Sequence, residues 1–343
     1  MWRFAVRASV ITGIAVRLFL PIDSAFGQGS FYKGKSIRFI VGAPPGGGFD
    51  TYSRAITRHL GKYIPGHPTM LVDNMAGAAG LVAANHTYRV ARPDGLSIGT
   101  FVGGMFLQQM LGLPGIEFDA PKFEFIGVPA QDNFFIGIAK STGITSYEQW
   151  KALGTVIKIG GNAPGGGTDD IPKLLKVVLG LPLQLVSGYK GTGPVRLAFN
   201  AGEVHGISNS IESFKANWRN EMDKGEVIFV INAAAKPHPE YPNLPWAVDL
   251  AKTDEAKKLI MTLGRATGII NRPYVFPPGT PKERVRVLRK AFMETMKDPE
   301  FLADTKRARL DLDPLDGETI EKEVKTLFKL EPALVKQLKE ILK

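Results

Sequence analysis

The feature that most constrains this chain is a loop written twice. Pro45-Gly46-Gly47-Gly48-Phe49-Asp50 and Pro164-Gly165-Gly166-Gly167-Thr168-Asp169 share the pattern P-G-G-G-x-D, 119 positions apart. Each copy stands between an apolar run and an amphipathic pattern. Residues 36–41 and 155–159 read as short buried strands. Tyr52, Ala55, Ile56, Leu60 and Ile64 after the first loop, and Ile171, Leu174, Leu175, Val178 and Leu179 after the second, recur at helical spacing. Three glycines leave a backbone with no side chains to hold a ligand away. The helix that follows presents free amides and the positive end of its dipole. Two such loops facing each other across a cleft would hold an anion from both sides. Neither copy is a Walker A loop, because no Lys-Ser/Thr follows the glycines, and neither is a G-x-G-x-x-G dinucleotide fingerprint. Asp50 is placed to cap its helix. If Asp50 and Asp169 are caps, their charge opposes a bound carboxylate, so ligand contacts are expected from amides, hydroxyls or water.

The rest of the chain keeps the same rhythm. Strand-like segments at 69–72, 96–101, 183–186, 204–208 and 227–231 alternate with helical patterns at 81–91 and 194–200, with Pro194 expected at a first helical position. The last third is helical: Val285, Leu288, Phe292 and Met296 form one stripe, Ile320, Val324, Leu327 and Phe328 another, and a final helix starts at Pro332. This alternation predicts an α/β protein with parallel or mixed sheets. A length of 343 residues exceeds what one core usually serves, so two domains are expected.

Composition narrows the setting. With no cysteine, the chain has no disulfide framework, thiolate metal site or cysteine nucleophile. Arg3 and Arg7 precede an apolar run from Ala8 to Leu20, and Ala25-Phe26-Gly27 supplies small residues at the cleavage positions. Residues 1–27 therefore read as a secretory signal peptide cut after Gly27. No later stretch reads as a membrane span. The formal charge of +10 becomes +8 after cleavage, 40 basic residues against 32 acidic. These charges are interspersed: residues 282–343 hold 15 basic and 13 acidic side chains. An exported chain without a basic patch is a poor nucleic-acid binder, and a diffuse positive field suits anionic small molecules.

Catalytic constellations are lacking. His59, His67, His86, His205 and His238 show no metal-ligand spacing, there is no H-E-x-x-H, and Gly206-Ile207-Ser208-Asn209-Ser210 is not a nucleophile elbow. The Asp169-Asp170 pair reads as a solvated helix cap. The expectation is a binding protein rather than an enzyme, with no cofactor and no metal.

Several short motifs, taken in order, resemble a known family. They are Ile40-Val41 with Pro45 to Asp50 and Arg54; Asp73-Asn74-Met75-Ala76-Gly77-Ala78-Ala79-Gly80; Ala91-Arg92-Pro93-Asp94-Gly95; Gly188-Tyr189-Lys190-Gly191; Gly202-Glu203-Val204; Pro277-Pro278-Gly279-Thr280-Pro281; and Lys297-Asp298-Pro299-Glu300. Together they resemble the periplasmic solute-binding proteins of tripartite tricarboxylate transporters, the TctC or Bug family, over nearly all of the chain after the signal.

That resemblance implies a two-domain, periplasmic-binding-protein fold of the Venus-flytrap kind, type II-like, with a ligand cleft between the domains. One domain would comprise 28–128 plus 232–343 and the other 129–231, with crossings near 127–131 and 228–232. It implies capture of a small carboxylate (a di- or tricarboxylate, an aromatic acid or an acidic amino acid) and delivery to TctA/TctB-like membrane subunits, by a periplasmic monomer. The implied ligand-binding residues are Pro45, Gly46, Gly47, Gly48, Phe49 and Asp50; Gly77, Ala78, Ala79 and Gly80; Pro164, Gly165, Gly166, Gly167, Thr168 and Asp169; and Tyr189 and Asn209. Two departures bear on the ligand. Many members carry Ser and His after the second loop, where this chain has Thr168, Asp169, Asp170 and Ile171, and Phe49 stands where smaller or polar residues are common, offering a ring to an aromatic acid. A ligand sensor for a membrane receptor is the alternative reading, followed by a periplasmic enzyme on the same scaffold.

Overall fold

A computed structural model describes Trp2 and residues 31–343. The expected signal peptide lies, apart from Trp2, outside the described residues. The strands in chain order are β1 (Ser36–Val41), β2 (Thr69–Asn74), β3 (Ser97–Thr100), β4 (Glu124–Val128), β5 (Phe134–Ala139), β6 (Ile157–Gly160), β7 (Leu183–Val186), β8 (Gly206–Ser210), β9 (Val227–Asn232), β10 (Tyr274–Phe276) and β11 (Leu315–Asp316). They form two mixed sheets. The first has the order β11-β4-β10-β3-β1-β2 and the second β7-β6-β8-β5-β9. In the first, β1 runs parallel to β2 and β3, with Arg38 opposite Leu71 and Ser97, while β10 enters antiparallel between β3 and β4. In the second, β6 is parallel to β7 and β8, and β5 is antiparallel to β8 and β9.

Two lobes follow from this. The second sheet is built from one continuous stretch, whereas the first needs strands from both sides of it. Among the described residues no helix is long and apolar enough to cross a membrane. The echoed loops keep their expected context: each leaves a parallel strand (β1, β6) and opens a helix, Gly48–Leu60 in one lobe and Gly167–Val178 in the other.

Strands β4 and β5 were not visible as strands in the sequence. Every residue of both is buried, so neither shows the polar–apolar alternation that marks a half-exposed strand. The helix expected to begin at Pro194 begins at Thr192, which places Pro194 third; its ring is still harmless there because first-turn amides lack intrahelical acceptors.

Apolar packing does not stop at the boundary between sheets. One cluster joins Phe101, Met105, Phe106 and Phe125 of the first lobe to Ile136, Ile159, Ile171 and Leu174 of the second. The Asp254–Gly268 helix packs on the Gly167–Val178 helix, and the Pro332–Leu342 helix touches both Gly167–Val178 and Met105–Leu111. A second cluster lies behind the first sheet under the Gly48–Leu60 and Lys282–Thr295 helices, and a third lies behind the second sheet around Phe199, Phe214 and Trp218.

Candidate functional site at the seam between the lobes

The two glycine triplets divide their labour in the same way. Gly46 and Gly165 have φ of 78° and 86°, the left-handed region that a side chain disfavours, and so turn the chain out of its strand. Gly47 and Gly166 are the N-caps of the two helices, and a Cβ on either would meet only a carbonyl or hydroxyl oxygen 3.4 Å or more away. Gly48 and Gly167 are close-approach positions. A Cβ on Gly48 would stand 3.0 Å from Arg272 Nη1 and 3.2 Å from Ser213 Oγ, and one on Gly167 would run into the Phe134 ring. In each triplet the third glycine is hemmed in by neighbours; Gly46 and Gly47 leave space beside the first loop, whereas Gly166 is buried although a Cβ there would meet only oxygen atoms.

Asp50 is not the N-cap. It occupies the third helical position and reaches back to accept from the Gly46 amide at 2.8 Å, which closes the loop on itself. Asn74 Nδ2 donates to Asp50 Oδ1 at 2.9 Å and to the Ala43 carbonyl at 3.0 Å, while Arg54 Nε donates to Asp50 Oδ2 at 2.9 Å. Burial raises the Asp50 pKa, but the bonds from Arg54, Gly46 and Asn74 outweigh it and hold the carboxyl below its ordinary value. Arg54 thus supplies the counter-charge that the sequence left unaccounted for.

In the second loop the residue that does this work is Asp170, one position beyond the echoed aspartate. Its carboxylate accepts from the Gly165 amide at 3.1 Å and from Gln108 Nε2, in the first lobe, at 2.7 Å. Asp169 instead accepts from Ser187 Oγ and from Thr168 Oγ1. Both aspartates are 0% exposed, so the expected solvated cap is wrong: Gln108 of the Met105–Leu111 helix lies on Asp170, while Asp169 is enclosed beside Gly161, Thr168 and Ser187. Burial, only partly offset by the Gly165 and Gln108 bonds, pushes Asp170 up to about 7.

The remaining expected residues distribute as follows. Pro45 and Gly46 are exposed, Phe49 is half-buried, and Gly165 to Asp169 are buried. The Phe49 ring offered to an aromatic acid already has the Arg272 guanidinium 4.9 Å from its centroid. Gly77 to Gly80 lie beside the first loop, where a Cβ on Gly42 would come 3.0 Å from Gly80 Cα. Ala78 and Ala79 hold φ of 44° and 53°, a strained left-handed pair at an expected ligand contact. Tyr189 is half-buried, its amide bonded to the Gly161 carbonyl at 3.2 Å. Asn209 is 3% exposed on β8, and its Nδ2 has no hydrogen-bond partner.

The loops do not simply face one another. The first meets the second lobe at Gly191, where a Cβ would lie 3.4 Å from Pro44 Cγ, and at Ser213. The second meets the first lobe at Gly104, Met105 and Gln108. Sequence reasoning missed Gly104, Gln108, Asp132, Ser213 and Arg272. The signal that could have drawn attention to Arg272 is its place in Asn271-Arg272-Pro273, a charged residue just ahead of the buried run Tyr274–Phe276.

The structure also brings His59 to Asp298 and Glu300, with potential ligand atoms within 4.8 Å of one another. Lys62 already occupies that position, bonded to Asp298 and 3.0 Å from Glu300 Oε2. Asp298 meanwhile caps the Pro299–Ala308 helix, accepting from Glu300 N at 2.8 Å and Phe301 N at 2.9 Å.

No family model matches the chain, and no curated protein matches it. Solved structures do. The periplasmic binding protein BugD superposes with a TM-score of 0.72 at 21% identity, covering 90% of this chain and 98% of BugD. MatC from Rhodopseudomonas palustris, solved with bound malate, gives 0.68 at 18% identity over 90% of this chain and 99% of its own. A second R. palustris protein, solved with adipate, gives 0.70 at 19% identity over 90% and 97%. The fold is therefore the two-lobed α/β fold of periplasmic solute-binding proteins, as the sequence resemblance implied.

Proposed function

We propose that this chain is an extracytoplasmic solute-binding protein of the TctC or Bug kind, which captures a small carboxylate between its lobes and delivers it to a TctA/TctB-like membrane transporter. The observation that carries this reading is the matched pair of strand–glycine loop–helix junctions at the lobe seam. In each, a glycine N-cap puts no side chain at a helix N-terminus, half-buried at Gly47 and buried at Gly166, and backbone amides at such a terminus favour an anion. The neutralisation of Asp50 by Arg54 removes the objection that the loop repels a carboxylate. Structural neighbours with malate and adipate bound support the ligand class.

The sites proposed for the ligand are Gly47 and Phe49 of the first loop, Gly77 to Gly80 beside it, Gly166 and Thr168 of the second, and Tyr189 and Asn209. The proposed lobes are 28–128 with 232–343 and 129–231; sheet membership supports them except at Asn232, which ends β9 of the second sheet, and the Asp254–Gly268 and Pro332–Leu342 helices reach across to the second lobe. Cleavage after Gly27 and a periplasmic location complete the reading. It is tested by thermal shift over di- and tricarboxylates, aromatic acids and acidic amino acids, with mass spectrometry of whatever co-purifies. A ligand at about a hundred times its dissociation constant stabilises by roughly 2.7 kcal/mol, an easily seen shift. A broad library with no shift would overturn the carboxylate assignment.

A further inference from the structure

Arg272 is a buried cation at the meeting point of four chain segments. Its side chain is 3% exposed and its partner Asp132 is 0% exposed, so the pair persists only because its geometry offsets the loss of water. Nε and Nη2 donate to Asp132 Oδ1 at 2.9 and 2.8 Å. Asp132 belongs to the crossing between β4 and β5, and Asn271 donates to its other oxygen. Nη2 also donates to Ser213 Oγ at 3.0 Å, in the Ile211–Asn217 helix of the second lobe. The guanidinium carbon lies 4.9 Å from the ring centroids of both Phe49 and Tyr52 in the first lobe. Nη1 points at Gly48 and has no hydrogen-bond partner. The next residue along the crossing repeats the connection: Asn133 donates through N and Nδ2 to the Glu212 carboxylate at 3.0 and 2.8 Å.

We infer that Arg272 is the positioning residue of the first glycine loop, tying the Gly48–Tyr52 turn to the second-lobe helix at Ser213 so that the loop and the angle between the lobes move together. The third glycine of the first triplet is explained by this residue rather than by a ligand: Gly48 is bare because the guanidinium occupies the space a side chain would need. A lysine cannot replace it. An ammonium lacks the planar fork that reaches Asp132 and Ser213 at once while lying against two rings. Only the use of this linkage in solute capture rests on the function proposed above; the linkage itself does not.

The chain has no cysteine, so two can be introduced without background. Val82→Cys in the first lobe and Leu197→Cys in the second fall at positions 47% and 66% exposed. Spin labels there report the interlobe distance in the full chain without ligand, and hydrogen exchange reports the first loop. Ser213→Ala removes the Arg272 bond and one from Ser210 Oγ, leaves Asp132 paired and leaves Arg272 only a 3.5 Å contact to Ser210 Oγ, so it tests the link where Arg272→Lys could also impair folding. The expected result for Ser213→Ala is a broadened interlobe distance distribution together with exchange in residues 44–52 about tenfold faster, the effect of losing a hydrogen bond to a charged group. Exchange in the Lys282–Thr295 helix should stay unchanged, which separates positioning from general destabilisation. A distance distribution and loop exchange identical to wild type, or exchange rising equally in both segments, would overturn the assignment. Neither readout needs a ligand, so failure here and failure of the solute-binding reading are told apart.

Discussion

Asp170 in the second lobe accepts a 2.7 Å hydrogen bond from Gln108 in the first, and the second glycine loop is fastened to the opposite lobe through that carboxylate. Asp50 closes the first loop in a similar way but stays within its own lobe, where Arg54 and Asn74 hold it. The two loops therefore differ in partner and in the direction in which their carboxyl pKa is moved, down at Asp50 and up at Asp170.

Burial puts Asp170 at about 7 where its ordinary value is 3.8, so between these values the folded chain holds a proton that the unfolded chain releases. The stability contributed by this group is full below its unfolded pKa, falls as pH rises through about 7, and is constant above. Asp170→Asn mimics the protonated form. The difference in thermal midpoint between about pH 5 and about pH 8 should shrink in the variant relative to wild type. Equal pH dependence in the two proteins would show that Asp170 titrates normally.

The triplet geometry separates neighbouring glycines. Gly47→Ala should leave chemical stability within about 0.5 kcal/mol of wild type, because its Cβ meets only the Pro44 carbonyl at 3.4 Å. Gly48→Ala should cost about 1–2 kcal/mol, because Arg272 and Ser213 would have to yield. Denaturant titration measures both, and the opposite ranking would contradict the division of labour.

Bulk at the N-cap glycines is a test of the ligand site. Gly47→Val and Gly166→Val should abolish binding of any carboxylate identified by thermal shift while circular dichroism remains that of the folded protein, through loss of backbone approach. Unchanged affinity in both variants would move the site elsewhere.

Asp298→Ala removes the cap of the Pro299–Ala308 helix and a partner of Tyr63 and Lys62. Loss of the cap alone predicts a destabilisation of about 1–2 kcal/mol, read from a urea or guanidinium midpoint. Bonds from Lys62, Tyr63 and two amides outweigh burial and hold the Asp298 carboxyl well below the usual range, so its stabilisation is present above the unfolded pKa and fades as pH falls toward the folded one. A midpoint indistinguishable from wild type would remove Asp298 from the structural account.

What the sequence disclosed was local. β1 and β7 fall where their apolar runs lie, and both echoed loops join strand to helix, because each is decided within about ten neighbouring residues. Alternation failed for β4 and β5 because strands buried on both faces have none. Aligning the two loops by pattern selected Asp169, whereas the turn of the helix brings Asp170 back to Gly165. The Arg272–Asp132 pair joins residues 140 positions apart, and no spacing rule reaches that far. Phe49 was readable as a ring offered to a ligand, but its guanidinium neighbour belongs to the other end of the chain.

The unequal construction of the two sheets sets an order of assembly. All five strands of the second sheet are present once Asn232 has emerged from the ribosome or translocon. The first sheet must wait for β10 to slide between β3 and β4, pairing Tyr274 with Gly127, and for β11 to complete its edge at Asp316. Closing so long an intervening loop is entropically slow. The second lobe is thus the natural early folding unit, and the Gly48–Arg272 juncture, which needs the late segment, is among the last parts of the molecule to exist.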